Sequence, residues 1–184
     1  MKELSLNVLD ITQNSISAGA DLIYIELTED ESHLLTLVIR DNGCGMSEDT
    51  LKRVADPFYT TRTSRKVGMG IPLLKLAAEQ AEGELTIRSV TSESDPKKHG
   101  TEVMATFKTD SIDFTPVGDM VSTVCTIIQG HPEINCIFHH KTPESEVSLD
   151  TSEMREVLGS GVSLGEPEIL EWISGYLRQQ YNNE

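Results

Sequence analysis

Asp10 and Asn14 stand four residues apart in LSLNVLDITQNSIS, so on a helix both side chains leave the same face. A carboxylate beside an amide oxygen suits a Mg²⁺ ion shared with phosphates, because that ion takes hard oxygen ligands and keeps several waters. The Asp10 carboxylate could also align and deprotonate a water that attacks a terminal phosphate. Taken alone, the pair is equally what a solvated helix face looks like.

A second segment, Asp41-Asn42-Gly43-Cys44-Gly45-Met46, follows the apolar run LTLVIR. A strand that ends in a carboxylate and a Gly-x-Gly turn sets Asp41 at a sheet edge, where glycines leave room for a flat ring against the backbone. Asp41 can then accept a hydrogen bond from the amino group of adenine. The plain alternative is an Asn-Gly turn. A third segment, Lys66-Val67-Gly68-Met69-Gly70, opens a helical pattern at Ile71. Gly-x-Gly at a helix start offers backbone N–H groups to an anion, and the helix dipole adds to the attraction. It is not a Walker loop, which needs Gly-Lys-Ser/Thr. It is not a dinucleotide fingerprint either, since Leu73 takes the place of the third glycine.

These segments need elements to hold them. Leu4, Val8 and Ile11 recur at helical spacing over 3–18, and Gly19 ends the run. LIYIELT (22–28) and LLTLVIR (34–40) alternate as strands around an acidic turn, which predicts a hairpin. Ser47 is a good N-cap for the short helix SEDTLKRV. Residues 55–70 are irregular. Helix resumes from Ile71 to Glu82 with Ile71, Leu74, Ala78 and Ala81 on one face and Gly83 as its stop, and 84–91 and 101–108 read as strands. After a break at 109–116 come a helix (119–129), a strand (INCIFHH), a strand (EVSLD), a short helix (152–158) and a last helix (168–181). Ile169, Ile173, Tyr176 and Leu177 are expected to be the buried stripe of that last helix, and Met104, Phe107 and Trp172 are expected in the core. The expected fold class is α+β: a two-layer α/β sandwich over 1–110, with a smaller α/β region over 111–184.

Net charge bounds the partners. The 184 residues carry 30 acids against 15 Lys and Arg, a net charge of −15, which speaks against nucleic acid. Yet residues 52–75 hold Lys52, Arg53, Arg62, Arg65, Lys66 and Lys75 against Asp56 alone, a local attractor for a small polyanion. Residues 109–184 carry about −10 of the charge. No apolar run has the ~20 residues needed to cross a bilayer, and MKELSLNVLD is not a signal peptide, so a cytoplasmic protein without membrane partners is expected. Cys44, Cys125 and Cys136 are scattered and read as reduced thiols. His131, Cys136, His139 and His140 fit no standard zinc spacing, and strand alternation sends His139 and His140 to opposite faces.

In order, the Asn-bearing helix, the hairpin, D-x-G-x-G, the basic loop with DPFYTTR, G-x-G before a helix and Gly100-Thr101 before a strand resemble the histidine-kinase-like ATPase superfamily, whose ATP site has the Bergerat fold. Asn14 matches its N-box. Asp41, Gly43 and Gly45 match the first glycine box, Phe58 the F-box, Gly68 and Gly70 the second glycine box. The resemblance covers roughly 1–108. It implies ATP and Mg²⁺ as cofactors, with Asn14 as metal ligand, Asp41 reading adenine, and the loop from about 56 to 70 as a mobile lid. The nucleotide-contacting set it implies is Asn14, Asp41, Gly43, Gly45, Met46, Phe58, Thr60, Thr61, Lys66, Gly68, Met69, Gly70 and Thr101.

Two branches of the superfamily compete. QNSISAGA looks like the N-S-x-D-A-G-A of MutL, with Ser17 in place of the acid. In MutL and gyrase a Glu four residues before the Asn acts as general base. Here Asp10 occupies that place and is the candidate catalytic residue. DPFYTTR and GMGIPLLKLAAEQAEGEL look more like a sensor histidine kinase. Since the ATP region starts at residue 3, no dimerising helix or phosphoacceptor His is expected, and phosphotransfer would go to a separate protein, as in anti-sigma-factor-type serine kinases. Segment 109–158 faintly resembles the start of a MutL-type transducer. The functional expectation is therefore an ATP-Mg²⁺ protein that hydrolyses ATP or phosphorylates a partner, with that partner docking through the C-terminal region. The alternative is a nucleotide-sensing interaction module without turnover.

Overall fold

The computed structural model of the chain describes residues 3–54, 69–159 and 161–182. Its elements are α1 (Leu4–Ser17), β1 (Leu22–Glu29), β2 (Leu34–Asp41), α2 (Glu48–Arg53), α3 (Gly70–Gln80), β3 (Leu85–Val90), β4 (Gly100–Lys108), α4 (Met120–Gly130), β5 (Asn135–Lys141), β6 (Glu146–Asp150), α5 (Thr151–Leu158) and α6 (Pro167–Asn182).

The strands form one sheet in the order β3-β4-β2-β1-β5-β6. Every neighbouring pair is antiparallel except β1 with β5, which run parallel. The two strands beyond residue 130 thus extend the same sheet from the outer edge of β1. Alternation fixes its two faces. Ile87, Val103, Ile39, Ile25, Phe138 and Leu149 line up in register across all six strands. This row belongs to a single apolar core, completed by Leu4, Val8 and Ile11 of α1, Leu74 and Ala78 of α3, Val124 and Ile128 of α4, and Ile173 and Leu177 of α6. Helices therefore cover one face, giving a two-layer α/β sandwich with an additional C-terminal α/β region. On the other face Glu102 meets Arg40 Nε at 2.9 Å and the Arg88 guanidinium at 3.8 Å, beside the exposed Tyr24 and Glu26.

Capping follows the sequence. Ser47 accepts from Thr50 N–H at the start of α2, and Asp119 accepts from Ser122 N–H at 2.9 Å at the start of α4. Two expectations need correction. The left-handed residue that closes α3 is Glu82 (φ 55°), not Gly83. Gly83 is required one step later, because a Cβ there would stand 1.8 Å from the Thr106 carbonyl oxygen. In α6 only Ile173 and Leu177 are buried; Tyr176 is exposed, and so is Trp172, which is not a core residue. Their rings stack on each other at 5.2 Å, nearly parallel. Phe107 is in the core as expected.

Among the described residues, no helix is long and apolar enough to cross a membrane.

Candidate functional site

The strand β2 ends at Asp41, beside α1, the turn at 42–46 and the start of β4. Its carboxylate is half-buried and fixed from three sides. The Ser15 hydroxyl of α1 donates to Oδ2 at 2.6 Å. The N–H groups of Gly43 and Thr101 donate to Oδ1 at 2.9 and 3.3 Å. A carboxylate oxygen has two acceptor sites, so these bonds fill Oδ1 and leave one position on Oδ2.

The turn after Asp41 is tied down in turn. Asn42 accepts the N–H groups of Asp21 and Leu22, both at 3.0 Å, which locks it to the start of β1. Cys44 N–H donates to the Ala18 carbonyl at 2.8 Å, and Ser92 N–H donates to the Cys44 carbonyl at 3.0 Å, while the Cys44 side chain stays exposed. Gly45 has φ 72°, and a Cβ on it would stand 2.0 Å from the Val90 carbonyl oxygen, so no other residue fits. Gly100 (φ 131°) passes equally close to the Asp41 carbonyl oxygen, at 1.9 Å from its would-be Cβ. Met46 N–H donates to Ser89 Oγ at 2.7 Å. Ser89 spends its single proton on the Gly100 carbonyl at 3.0 Å, so Thr101 Oγ1, 2.9 Å away, donates to Ser89. His99 Nδ1 lies 2.7 Å from the Gly43 carbonyl oxygen. Both glycines of D-x-G-x-G are thus held by residues from β3, β4 and the loop between them.

α1 carries Asp10 and Asn14 one turn apart, both half-buried. Gly70 opens α3 beside Asp10. A Cβ on Gly70 would lie 3.2 Å from Asp10 Cβ, a tight contact, so α3 starts close upon the acid. The first N–H groups of α3 and its dipole suit an anion there. The oxygens of Asp10 and Asn14 fit a Mg²⁺ ion that takes only one or two protein ligands and otherwise binds phosphate and water. Among the described residues, no group of three His, Cys, Asp or Glu could hold a metal ion.

Hydrogen bonds therefore gather Asp41, Gly43, Met46 and Thr101 around the end of β2, Gly45 packs against Val90 in the same turn, and Gly70 lies against Asp10 of α1, one turn before Asn14. Phe58, Thr60, Thr61, Lys66 and Gly68, and with them residues 56–68 of the lid expected at 56 to 70, lie outside the described residues. Ser15, Ser89 and His99 hold Asp41 and the turn after it, and sequence reasoning misses all three: what each one bonds to is set by residues far away in the chain.

Similarity to known proteins agrees with this geometry. The chain is 32% identical over 90 residues to a putative sensor protein of Shewanella frigidimarina, covering 48% of this chain and 14% of that protein. It is 32% identical over 89 residues to sporulation kinase E of Bacillus subtilis, covering 48% of this chain and 12% of the kinase. The chain thus spans only a small fraction of the curated relatives it matches. The N-terminal domain of a DNA repair protein superposes with a TM-score of 0.57 at 17% identity, over 88% of this chain and 58% of that one. The Aquifex aeolicus MutL ATPase domain, solved with ADP, gives 0.51 at 14% identity, over 86% of this chain and 69% of that one. At such identities these likenesses show the fold. The family match decides membership, because it spans residues 1–111, more than half of the chain: the protein belongs to the histidine kinase-, DNA gyrase B- and HSP90-like ATPases, and its N-terminal part is an ATP-binding module related to sensor kinases.

Proposed function

We propose that the chain binds ATP with Mg²⁺ at Asp41 and the facing ends of α1 and α3, and either hydrolyses it or passes the terminal phosphoryl group to a separate protein that docks through residues 111–184. The observation that carries the reading is the Asp41 carboxylate, held by Ser15, Gly43 and Thr101 with one acceptor position left on Oδ2. Adenine's exocyclic amine is a donor that fits it. Gly43, Gly45, Met46 and Thr101 would face the base. Met69 and Gly70 would present the α3 amides to the phosphates, joined by Phe58, Thr60, Thr61, Lys66 and Gly68 as the family resemblance implies. Asn14 would hold Mg²⁺, which when bound supplies positive charge to the phosphates. Asp10 would take the proton of a water that attacks the terminal phosphorus, as the bond to the bridging oxygen breaks and ADP leaves. In transfer, a side-chain nucleophile of the partner replaces that water. A charge of −15 speaks against nucleic acid as the partner, and ATP use of this kind places the activity in the cytoplasm.

A specific observation favours a second reading. Asp10 is one methylene shorter than the glutamate that stands at this place in MutL and gyrase, and that shortening suits a module that binds nucleotide without turning it over. Purified protein with radiolabelled ATP separates the readings. Phosphate release supports hydrolysis. Label appearing on a second protein in cell extract supports transfer. Binding with neither outcome supports the sensing module, and no ATP binding at all removes the proposal.

A further inference from the structure

α5, the N-terminal half of α6 and the outer edge of the sheet enclose an open groove of about 850 Å³. Its walls are Leu149, Met154, Val157, Ile169, Trp172 and Tyr176. Three of these are exposed large apolar side chains: Val157 is 87% exposed, Trp172 56% and Tyr176 39%. The stacked Trp172–Tyr176 pair is the kind of rigid aromatic anchor that dominates protein interfaces.

The groove is held rigidly. Arg155 fastens α5 to the start of β5 by donating to Asn135 Oδ1 and the Ile134 carbonyl, each at 3.0 Å, and to the Pro132 carbonyl. Gln180 fastens α6 to β6. Its Oε1 accepts Ser148 N–H at 2.9 Å and its Nε2 donates to the Ser148 carbonyl at 3.0 Å. That amide occupies the outward backbone groups of Ser148 on the edge strand β6, so a peptide cannot add there as a further strand. What remains is the mode in which a helix lays its apolar face into a groove.

Charge selects which helix. Asp150, Glu153 and Glu168 also line the groove, and neither Lys nor Arg does so among the described residues. Glu153 and Glu168 are exposed and form no ion pair among the described residues. With residues 109–184 carrying about −10, a second copy of this face would be repelled. We propose that this groove docks a cationic amphipathic helix of a partner protein, with apolar residues seated between Val157 and the Trp172–Tyr176 pair and Lys or Arg facing Glu153 and Glu168. The inference deepens, and rests on, the reading that a separate protein docks through residues 111–184.

Trp172 is the only tryptophan, so its emission reports on the groove directly. The test uses the full chain without nucleotide and a synthetic helix of about 18 residues, with Leu at i, i+3, i+4, i+7 and Lys elsewhere. Its twins are the same peptide with Glu for Lys, and a scrambled Leu/Lys peptide. The Lys helix should shift Trp172 emission to the blue at physiological salt, the Glu twin should leave it unchanged, and the scrambled peptide should bind more weakly. The double variant V157Q/Y176Q, checked for an unchanged thermal melt, should bind about tenfold more weakly, as loss of an interface anchor does. Four results would each overturn the proposal: no emission change with the Lys helix, equal binding of the Glu twin, equal affinity of wild type and double variant (attraction by bulk charge), or self-association in sedimentation that the double variant abolishes. ATP affinity is measured on the same preparation, so failure of the groove and failure of the nucleotide reading are told apart.

Discussion

The hydroxyl of Ser15 donates to the carboxylate of Asp41 at 2.6 Å, joining α1 to the end of β2 across 26 residues of sequence. Ser15 is itself buried, at 3% exposure, while Asp41 is half-buried. S15A should keep the fold but leave Asp41 less firmly placed. ATP affinity should fall by about 0.5–1.5 kcal/mol, the usual worth of one hydrogen bond. Calorimetry on the variant checks this; unchanged affinity would show that Ser15 does not orient Asp41 for a ligand.

The three thiols should differ sharply in reactivity. Cys44 is exposed between the two glycines of the turn, Cys125 is half-buried, and burial pushes the Cys136 thiol up to about 12. At pH 8 iodoacetamide should modify Cys44 first and spare Cys136 until the protein unfolds. Saturating ATP should slow the reaction at Cys44, since the base would lie against the same turn. Mass spectrometry of the labelled sites reads both effects, and an identical Cys44 rate with and without ATP would argue that the base lies elsewhere.

Asp10 and Asn14 should fail in different ways. D10N keeps the shape and should keep ATP binding, but slow phosphate release by roughly 10²-fold or more, the scale of losing a general base. N14A should weaken binding itself and make it less dependent on Mg²⁺. If D10N turns ATP over like the wild type, Asp10 is not the base.

A pH dependence follows from the cap of α4. The Ser122 hydroxyl, then the Ser122 N–H, hold the Asp119 carboxyl below its ordinary value of 3.8, aided by Arg178. A carboxyl whose value is lowered by folding stabilises the fold fully above its unfolded value, and loses that contribution as pH falls through the folded one. D119A should cost about 0.5–2 kcal/mol near neutral pH, the usual range for an N-cap. The gap from wild type should close below pH ~3.8. Urea melts between pH 2.5 and 7 (a window chosen around the ~3.9 reference for Asp) test it. A gap that does not change with pH would mean that the cap does not depend on the charge of Asp119.

Much of this was legible in the chain itself, for identifiable reasons. EVSLD alternates so cleanly that β6 runs over the expected residues Glu146–Asp150, and Ser47 caps α2 as expected because a short polar side chain satisfies an otherwise unpaired N–H. The glycine-framed turn at Asp41 was legible because only glycine tolerates the approach to Val90. What was not legible is what depends on distant partners. Ser15 is one residue past Asn14, about 100° further round the helix, and only the position of β2 shows that it points at Asp41. The parallel pairing of β5 with β1 joins residues over 100 apart, and nothing in either strand's pattern specifies it. Trp172 and Tyr176 fall on an apolar spacing that reads as core. The helix is rotated so that Ile173 and Leu177 fill the core and the two rings stack outside it.

The central claim, that the protein reads adenine through Asp41, is tested most directly by titrating wild type and D41A with ATP and GTP in the presence of Mg²⁺. The wild type should bind ATP and prefer it to GTP. D41A, shown to be folded by its thermal melt, should lose about tenfold to a hundredfold in ATP affinity, the loss of a hydrogen bond to a charged acceptor at roughly 1.5–3 kcal/mol. A folded D41A that binds ATP as tightly as the wild type would contradict the account.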